Sequence, residues 1–368
     1  MSGGSATVLL VGGGSGGHIY PNMAVAERLA EKGVGVIPHY VVSERAVDAR
    51  VCEGLGAGWS AVPAAPPSVR PGGAWRFWTG WRGTAAGVRR LLEEHDAAGS
   101  PVRAVVATGG FVSAAVVAAV KRWIPGMPTA LVSLDATAGR ANRWAARKAD
   151  TVFSAYAGGG LRDAEVIGYP LRRAVVKAGE AGPGDGRVLL VFGGSQGGGT
   201  INRAMMELAG MAEAKKLLRG WRVVHVTGEA DEAAVRAAYE EAGMDAEVLA
   251  FCGEMGALWG RAELAICRAG GGSVAEAWAN AVPSVFLPYP FHKDEHQRLN
   301  ALPMVNAGGA VLMKDAVDAR LNASALVGQL RALIGNADRL QGMRRALRDR
   351  PMEDGASVIA DWVAERLA

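Results

Sequence analysis

The sequence predicts an α/β protein built from two parallel-sheet domains, and three observations carry that reading. An internal echo comes first: Val8-Leu9-Leu10-Val11 runs into Gly12-Gly13-Gly14-Ser15-Gly16-Gly17, and Val188-Leu189-Leu190-Val191-Phe192 runs into Gly193-Gly194-Ser195-Gln196-Gly197-Gly198. Each copy is an aliphatic run too short for a buried helix, then glycines, then a helical pattern (24–30 and 201–209), which reads as strand, glycine loop, helix. Second, short apolar runs alternate with helical stretches in both halves. They fall at 34–42, 102–107, 129–133 and 151–154, then at 221–227, 248–251, 264–267 and 282–287, the rhythm of parallel βα units. Third, Gly179-Glu-Ala-Gly-Pro-Gly-Asp-Gly186 cannot continue a helix or a strand and marks the linker. The domains are therefore expected at 1–175 and 187–345. A helical tail at 346–368 fits either one as a cap, and packing on the first domain is the expectation.

Composition excludes several classes. Of the 368 residues half are hydrophobic and 21% charged, which argues against disorder. Cys52, Cys252 and Cys267 are odd in number and lack ligand spacing, so neither a disulfide framework nor a structural zinc site is supported. No apolar run approaches a membrane span, and Lys and Arg are absent before Arg28, unlike a secretory signal. The expectation is a cytoplasmic protein. Its net charge of +4 is a mild excess that suits an anionic partner.

The glycine loops carry the first functional signal. At a strand's carboxyl end a helix N-terminus offers N–H groups and a partial positive charge to a phosphate, and glycine lets the backbone come close. Gly12-x-Gly14-x-x-Gly17 also fits the dinucleotide fingerprint, with Glu44 near the ribose-binding position. Neither loop ends in Gly-Lys-Ser/Thr, so the lysine and magnesium-binding hydroxyl of a P-loop nucleotidase are missing. His18 follows the first loop, with Pro21 suited to a first helical turn. An imidazole there is a candidate general base near neutral pH; its plainer role is a backbone hydrogen bond at a helix start.

Five blocks together resemble the MurG family of peptidoglycan glycosyltransferases. They are Gly13-Gly14-Ser15-Gly16-Gly17-His18; Thr108-Gly109-Gly110-Phe111-Val112-Ser113; Gly193-Gly194-Ser195-Gln196-Gly197; Cys267-Arg268-Ala269-Gly270 with Ser273 and Glu276; and Pro288 through His292-Lys293-Asp294 to Gln297 and Asn300. They occur in the family's order over essentially the whole chain. The resemblance implies a GT-B fold, two Rossmann-like domains facing across a cleft. It implies transfer of N-acetylglucosamine from UDP-N-acetylglucosamine to the muramyl 4-hydroxyl of lipid I, with inversion and without a required metal or cofactor. It also implies His18 as the catalytic base. The donor would be held by Ser15, Gly16, Gly17, Arg172, Ser195, Cys252, Gly271, Gly272, Ser273, Val274, Glu276 (on the ribose), His296, Gln297 and Asn300. On the acceptor side stand Gly109, Gly110, Phe111, Ser133 and Asp135. Loop N–H groups and helix dipoles can meet the charge of a departing diphosphate.

The chain departs from the family pattern at identifiable places. Ser133 and Asp135 stand where the family has glutamate and asparagine, Phe111 where it has tyrosine, His296 where it has the first glutamine of a pair, and Tyr169 where it has asparagine. Most of these lie on the acceptor side or at the sugar, which leaves the nucleotide motifs intact.

From Gly54 to Leu92 there is no acidic residue, while Arg70, Arg76, Arg82, Arg89 and Arg90 interleave with Trp59, Trp75, Phe77, Trp78 and Trp81. Arginines among tryptophans suit an interface of anionic headgroups and acyl chains, and a polyprenyl-linked acceptor needs such a dock. Trp75, Arg76, Phe77, Trp78, Trp81 and Arg82 are the expected docking residues of a protein peripheral to the cytoplasmic face of the membrane. No nucleic-acid module is recognisable. Three other readings stand beside this one: a GT-B transferase with another acceptor, an NAD(P)-dependent oxidoreductase, and a nucleotide-sugar-binding protein without turnover.

Overall fold

The computed structural model describes residues 6–14, 16–66, 71–181, 187–194 and 198–367. The chain divides into two compact units, 1–172 with 353–368, and 173–352. In the first unit the chain runs β1 (Ala6–Val11), α1 (Gly16–Glu31), β2 (Val36–Ser43), α2 (Ala46–Cys52), β3 (Gly58–Val62), α3 (Pro71–Ala97), β4 (Val102–Ala107) and α4 (Gly110–Trp123). It continues with β5 (Thr129–Ser133), α5 (Arg140–Ala145), β6 (Thr151–Ser154) and β7 (Glu165–Val166). The seven strands form one parallel sheet in the order β3-β2-β1-β4-β5-β6-β7.

The second unit opens with α6 (Arg173–Ala181), so the helix enters the Gly179–Gly186 stretch that was expected to exclude it. Then come β8 (Arg187–Phe192), α7 (Gly199–Gly210), α8 (Ala212–Leu217), β9 (Trp221–Val226), α9 (Glu232–Ala242), β10 (Ala246–Leu249), α10 (Met255–Arg261) and β11 (Leu264–Cys267). The unit ends with α11 (Gly271–Ala279), β12 (Ser284–Phe286), α12 (His296–Asn306), β13 (Ala310–Leu312), α13 (Ala319–Ile334) and α14 (Ala337–Arg348). Its six parallel strands are ordered β10-β9-β8-β11-β12-β13.

Parallel sheets covered by helices on both faces bury most positions of their central strands, which is why β1 and β8 read as apolar runs. In β8, Leu189 and Val191 join one core with Ile201, Leu208 and Leu326, while Val188, Leu190 and Phe192 join the other with Trp259 and Phe286. In each sheet the strand order reverses beside the first strand, between β1 and β4 and between β8 and β11. Ligands of open α/β sheets bind at such a point, outside the carboxyl ends of the strands, and both glycine loops lie there.

The last helix, α15 (Gly355–Leu367), packs on α1 of the first unit. The buried Arg28 fixes it, with Nε donating to Asp354 Oδ2 at 2.8 Å and a terminal nitrogen to the Leu171 carbonyl at 3.0 Å. Trp362 Nε1 donates to Thr151 Oγ1 at 2.9 Å. Gly168 and Gly355 approach so closely that a Cβ on Gly355 would lie 1.6 Å from the Gly168 oxygen.

Candidate functional site

In the first unit β1 and β4 deliver two glycine turns side by side. Thr108 N–H donates to the Val11 carbonyl at 2.8 Å. Thr108 Oγ1 then donates to the His18 carbonyl at 2.6 Å, which ties the start of α1 to the end of β4. A Cβ on Gly12 would lie 2.3 Å from that hydroxyl and 2.4 Å from the His18 oxygen, so only glycine permits this approach. α1 begins at Gly16, which places Pro21 inside the helix and not in its first turn. Proline lacks the N–H that would reach the Gly17 carbonyl; the Tyr169 hydroxyl stands 3.5 Å from that oxygen.

His18 is half-buried, and its Nδ1 lies 2.8 Å from the Thr108 carbonyl oxygen. A carbonyl only accepts, so Nδ1 carries a proton, and in the neutral ring Nε2 is the nitrogen left as acceptor. The Nε2 edge faces the second turn, where a Cβ on Gly110 would sit 3.5 Å away. Gly109 and Gly110 both have positive φ, 96° and 82°. Asn142 of α5 locks them, its Oδ1 accepting from Gly110 N–H at 3.0 Å. Phe111 lies against the first loop, within 3.0 Å of where a Cβ on Gly14 would be.

Two residues that motif reading missed hold the first loop. Asp48 of α2 is fully buried and accepts from the backbone N–H of Gly14 at 2.6 Å, from that of Ser43 at 3.2 Å and from the Ser43 hydroxyl. Arg45 donates to the Gly14 carbonyl at 2.9 Å and lies over the Phe111 ring at 5.4 Å. Arg172 also belongs to this unit, its guanidinium 4.6 Å above the ring of Tyr20, which itself faces Gly16. Asp135 is half-buried in the segment after β5. Ser133 is different: it is 0% exposed inside the sheet, and its hydroxyl has no hydrogen-bond partner among the described residues. Ser133, expected on the acceptor side, thus has its side chain enclosed within the sheet.

In the second unit the matching pair of turns follows β8 and β11. Ser15 of the first loop and Ser195 of this one lie outside the described residues. The β11 turn is built on Arg268, 5% exposed. One terminal nitrogen donates to Asp315 Oδ2 at 2.7 Å and to the carbonyls of Leu287 and Pro288, the other to Thr200 Oγ1 at the start of α7. Asn322 and the backbone of Val317 complete the shell of Asp315 at 2.8 and 2.7 Å. Burial raises the Asp315 carboxyl, but the bonds from Thr200, Asn322, Arg268 and Val317 outweigh it and hold the group below the usual carboxylate range.

The turn opens α11, where Gly271 is buried and Gly272 and Ser273 are half-buried at its N-terminus. Val274 is a core residue, so it can serve a donor only through its backbone. Glu276 is half-buried one turn further on, and its Oε2 accepts from the indole N–H of the buried Trp259 at 2.7 Å. A carboxylate has about four lone-pair sites, so this bond orients the group without exhausting it. Cys252 is half-buried beside the exposed Phe251, and burial pushes its thiol up. Gln297 accepts at Oε1 from Tyr289 N–H at 2.8 Å. His296 Nδ1 lies 2.8 Å from Asp294 Oδ1, a bond that lowers the Asp294 carboxyl. Asn300, expected on the donor sugar, is 0% exposed, and its Nδ2 donates to the Ala269 carbonyl at 3.1 Å. In this position it shapes the β11 turn.

The arginine- and tryptophan-rich segment forms most of α3, while Trp59 lies in β3. Gly80 and Gly83 face inward: a Cβ on either would meet Pro63 at 2.2 and 2.7 Å. Trp75 and Trp78 face outward, 72% and 63% exposed, with Arg76 and Arg82 also exposed. Phe77 and Trp81 are half-buried and stack toward Trp144 of α5, with Trp81 and Trp144 centroids 5.3 Å apart. The helix thus packs through small residues and shows indoles to solvent. No helix among the described residues is long and apolar enough to cross a membrane.

Residues 8–154 match the glycosyltransferase family 28 N-terminal domain, and residues 188–359 the family 28 C-terminal domain. A UDP-N-acetylglucosamine–N-acetylmuramyl-(pentapeptide) pyrophosphoryl-undecaprenol N-acetylglucosamine transferase of Alkalilimnicola ehrlichii is 35% identical, over 96% of this chain and 97% of its own. The protein of the same name from Mycobacterium tuberculosis is 34% identical, over 97% of this chain and 88% of its own. The chain belongs to the MurG family. The crystal structure of Acinetobacter baumannii MurG superposes with a TM-score of 0.70 at 21% identity, covering 98% of this chain and 99% of that one. Os79 of O. sativa, solved in complex with UDP, gives 0.68 at 16%, covering 98% and 100%. The fold is GT-B, and the MurG chain is a glycosyltransferase by its family.

Proposed function

We propose that the protein transfers N-acetylglucosamine from UDP-N-acetylglucosamine to the 4-hydroxyl of the muramyl sugar of lipid I, giving lipid II and UDP. The observation that carries this reading is His18, its Nδ1–H held by the Thr108 carbonyl and its Nε2 presented as an acceptor beside the Gly109–Gly110 turn. The names of the full-length relatives support the substrates. In the proposed step the hydroxyl gives its proton to His18 Nε2 as its oxygen attacks C1 of the donor sugar from the face opposite the diphosphate. The C1–O bond to UDP breaks, and the configuration inverts.

Glu276, oriented by Trp259, receives the ribose hydroxyls. The N-terminus of α11 offers N–H groups and a partial positive charge to the departing diphosphate. This is a transfer without a metal cofactor. The outward indoles of α3, with Arg76 and Arg82, dock the protein on an anionic membrane surface where the polyprenyl acceptor resides.

A second reading, a GT-B transferase with another acceptor, rests on Phe111, Ser133 and Asp135, since all three departures lie on the acceptor side. One experiment separates the two. UDP release is measured with and without a lipid I analogue in detergent, and the product is weighed by mass spectrometry. Acceptor-dependent release with the disaccharide formed is expected. Donor binding without transfer to this acceptor would favour the second reading.

A further inference from the structure

We infer that His292, Asp294 and His296 form a binding site for one borderline divalent transition ion, of the zinc, cobalt and nickel class, on the segment that leads into α12. One donor atom from each residue lies within 4.8 Å of the other two. His296 Nδ1 and Asp294 Oδ1 are 2.8 Å apart, and the two imidazole centroids are 4.4 Å apart.

The backbone brings these alternate residues together. Glu295 adopts φ 48°, a left-handed conformation that a non-glycine residue seldom takes, and its N–H donates to the His292 carbonyl at 3.2 Å. The chain therefore turns back between Asp294 and His296, where an extended chain would keep the two rings far apart. The turn is secured on both sides. Tyr289 packs on His292 with centroids 4.7 Å apart, and Tyr289 N–H donates to Gln297 Oε1 at 2.8 Å.

The donor set selects the ion. Two imidazole nitrogens and one carboxylate oxygen suit zinc and its neighbours, whereas magnesium and calcium take oxygen ligands. Bonds of about 2.0–2.2 Å place ligand atoms roughly 3.3 Å apart around a tetrahedral ion. The wider separation here closes by side-chain rotation, which the exposure of His292 and Asp294 permits. Three protein ligands leave a position for water or for an oxygen of a bound molecule. The ion is assigned no part in glycosyl transfer; His296 is also among the residues expected on the donor, so the titrations are made without nucleotide sugar.

The test uses the full chain without a histidine tag, stripped with chelator, titrated with Zn²⁺ by calorimetry and with Co²⁺ by visible absorption. One ion per chain is expected, with Co²⁺ giving the d–d bands of nitrogen and oxygen coordination. H296Q and D294N alter side chains near the surface, and each should weaken Zn²⁺ at least about tenfold while circular dichroism shows an unchanged fold. Absence of binding to the native chain, or Zn²⁺ affinity unchanged in H296Q, would overturn the assignment.

Discussion

The turn after β1 and the turn after β11 sit at equivalent places, each beside the switch point of a parallel sheet, yet opposite means hold them. The first is tied by hydrogen bonds from its own backbone, to Asp48 and through Arg45, with a ring packed on top, and His18 beside it stays half-exposed. The second stands on a buried ion pair, Arg268 with Asp315, whose carboxylate also accepts from Thr200, Asn322 and the Val317 backbone. Buried pairs add little net stability when compared with well-packed apolar residues, but they fix one geometry and are costly to break. The turn after β11 is thus built to hold a single shape. The turn after β1 is held by separate contacts, with Phe111 packed against it.

The largest expected effect tests that rigidity. D315A leaves Arg268 charged and buried, and should destabilise the second unit by about 3–5 kcal/mol, read as a lower melting transition and weaker UDP binding. Acid should act in the same direction. The folded Asp315 carboxyl is held below its ordinary value, so its contribution is fully present above that ordinary value and is lost as pH falls through the folded one. A melting point unchanged in D315A would mean that the ion pair does not carry the turn.

A smaller effect is expected at Glu276. E276A removes hydrogen bonds to a charged acceptor, each of about 1.5–3 kcal/mol, and should weaken UDP binding at least tenfold with little loss of fold. W259F, which removes only the orienting bond, should weaken it less. Equal UDP affinity in E276A and the native chain would remove the ribose role.

The smallest expected effect concerns α3. W75S together with W78S removes the two outward indoles and should lower partitioning onto anionic vesicles without altering melting. W81S should also lower melting, because Trp81 packs on Trp144. Equal partitioning of the double variant would sink the docking role.

Most of the fold was legible because buried parallel strands are largely apolar runs, as in 8–11 and 188–192. The strands that escaped notice lack that signal. Gly58–Val62 carries a glycine and a serine, Ala310–Leu312 has three residues and Glu165–Val166 two. At the site, glycines and His18 announce themselves by spacing within one short segment. Their supports do not: Asp48, Asn142, Trp259 and Asp315 are brought in by chain folding from positions 17 to 47 residues away from their partners. Ser133 and Asn300 show the complementary limit. Their position in a motif says which residue stands there, while burial decides which way it faces.

The central claim is that His18 Nε2 takes the acceptor's proton. H18A should bind UDP as the native chain does and lose about 10²–10⁴-fold of acceptor-dependent turnover, the usual worth of a general base. Native turnover in H18A, with UDP binding intact, would contradict it.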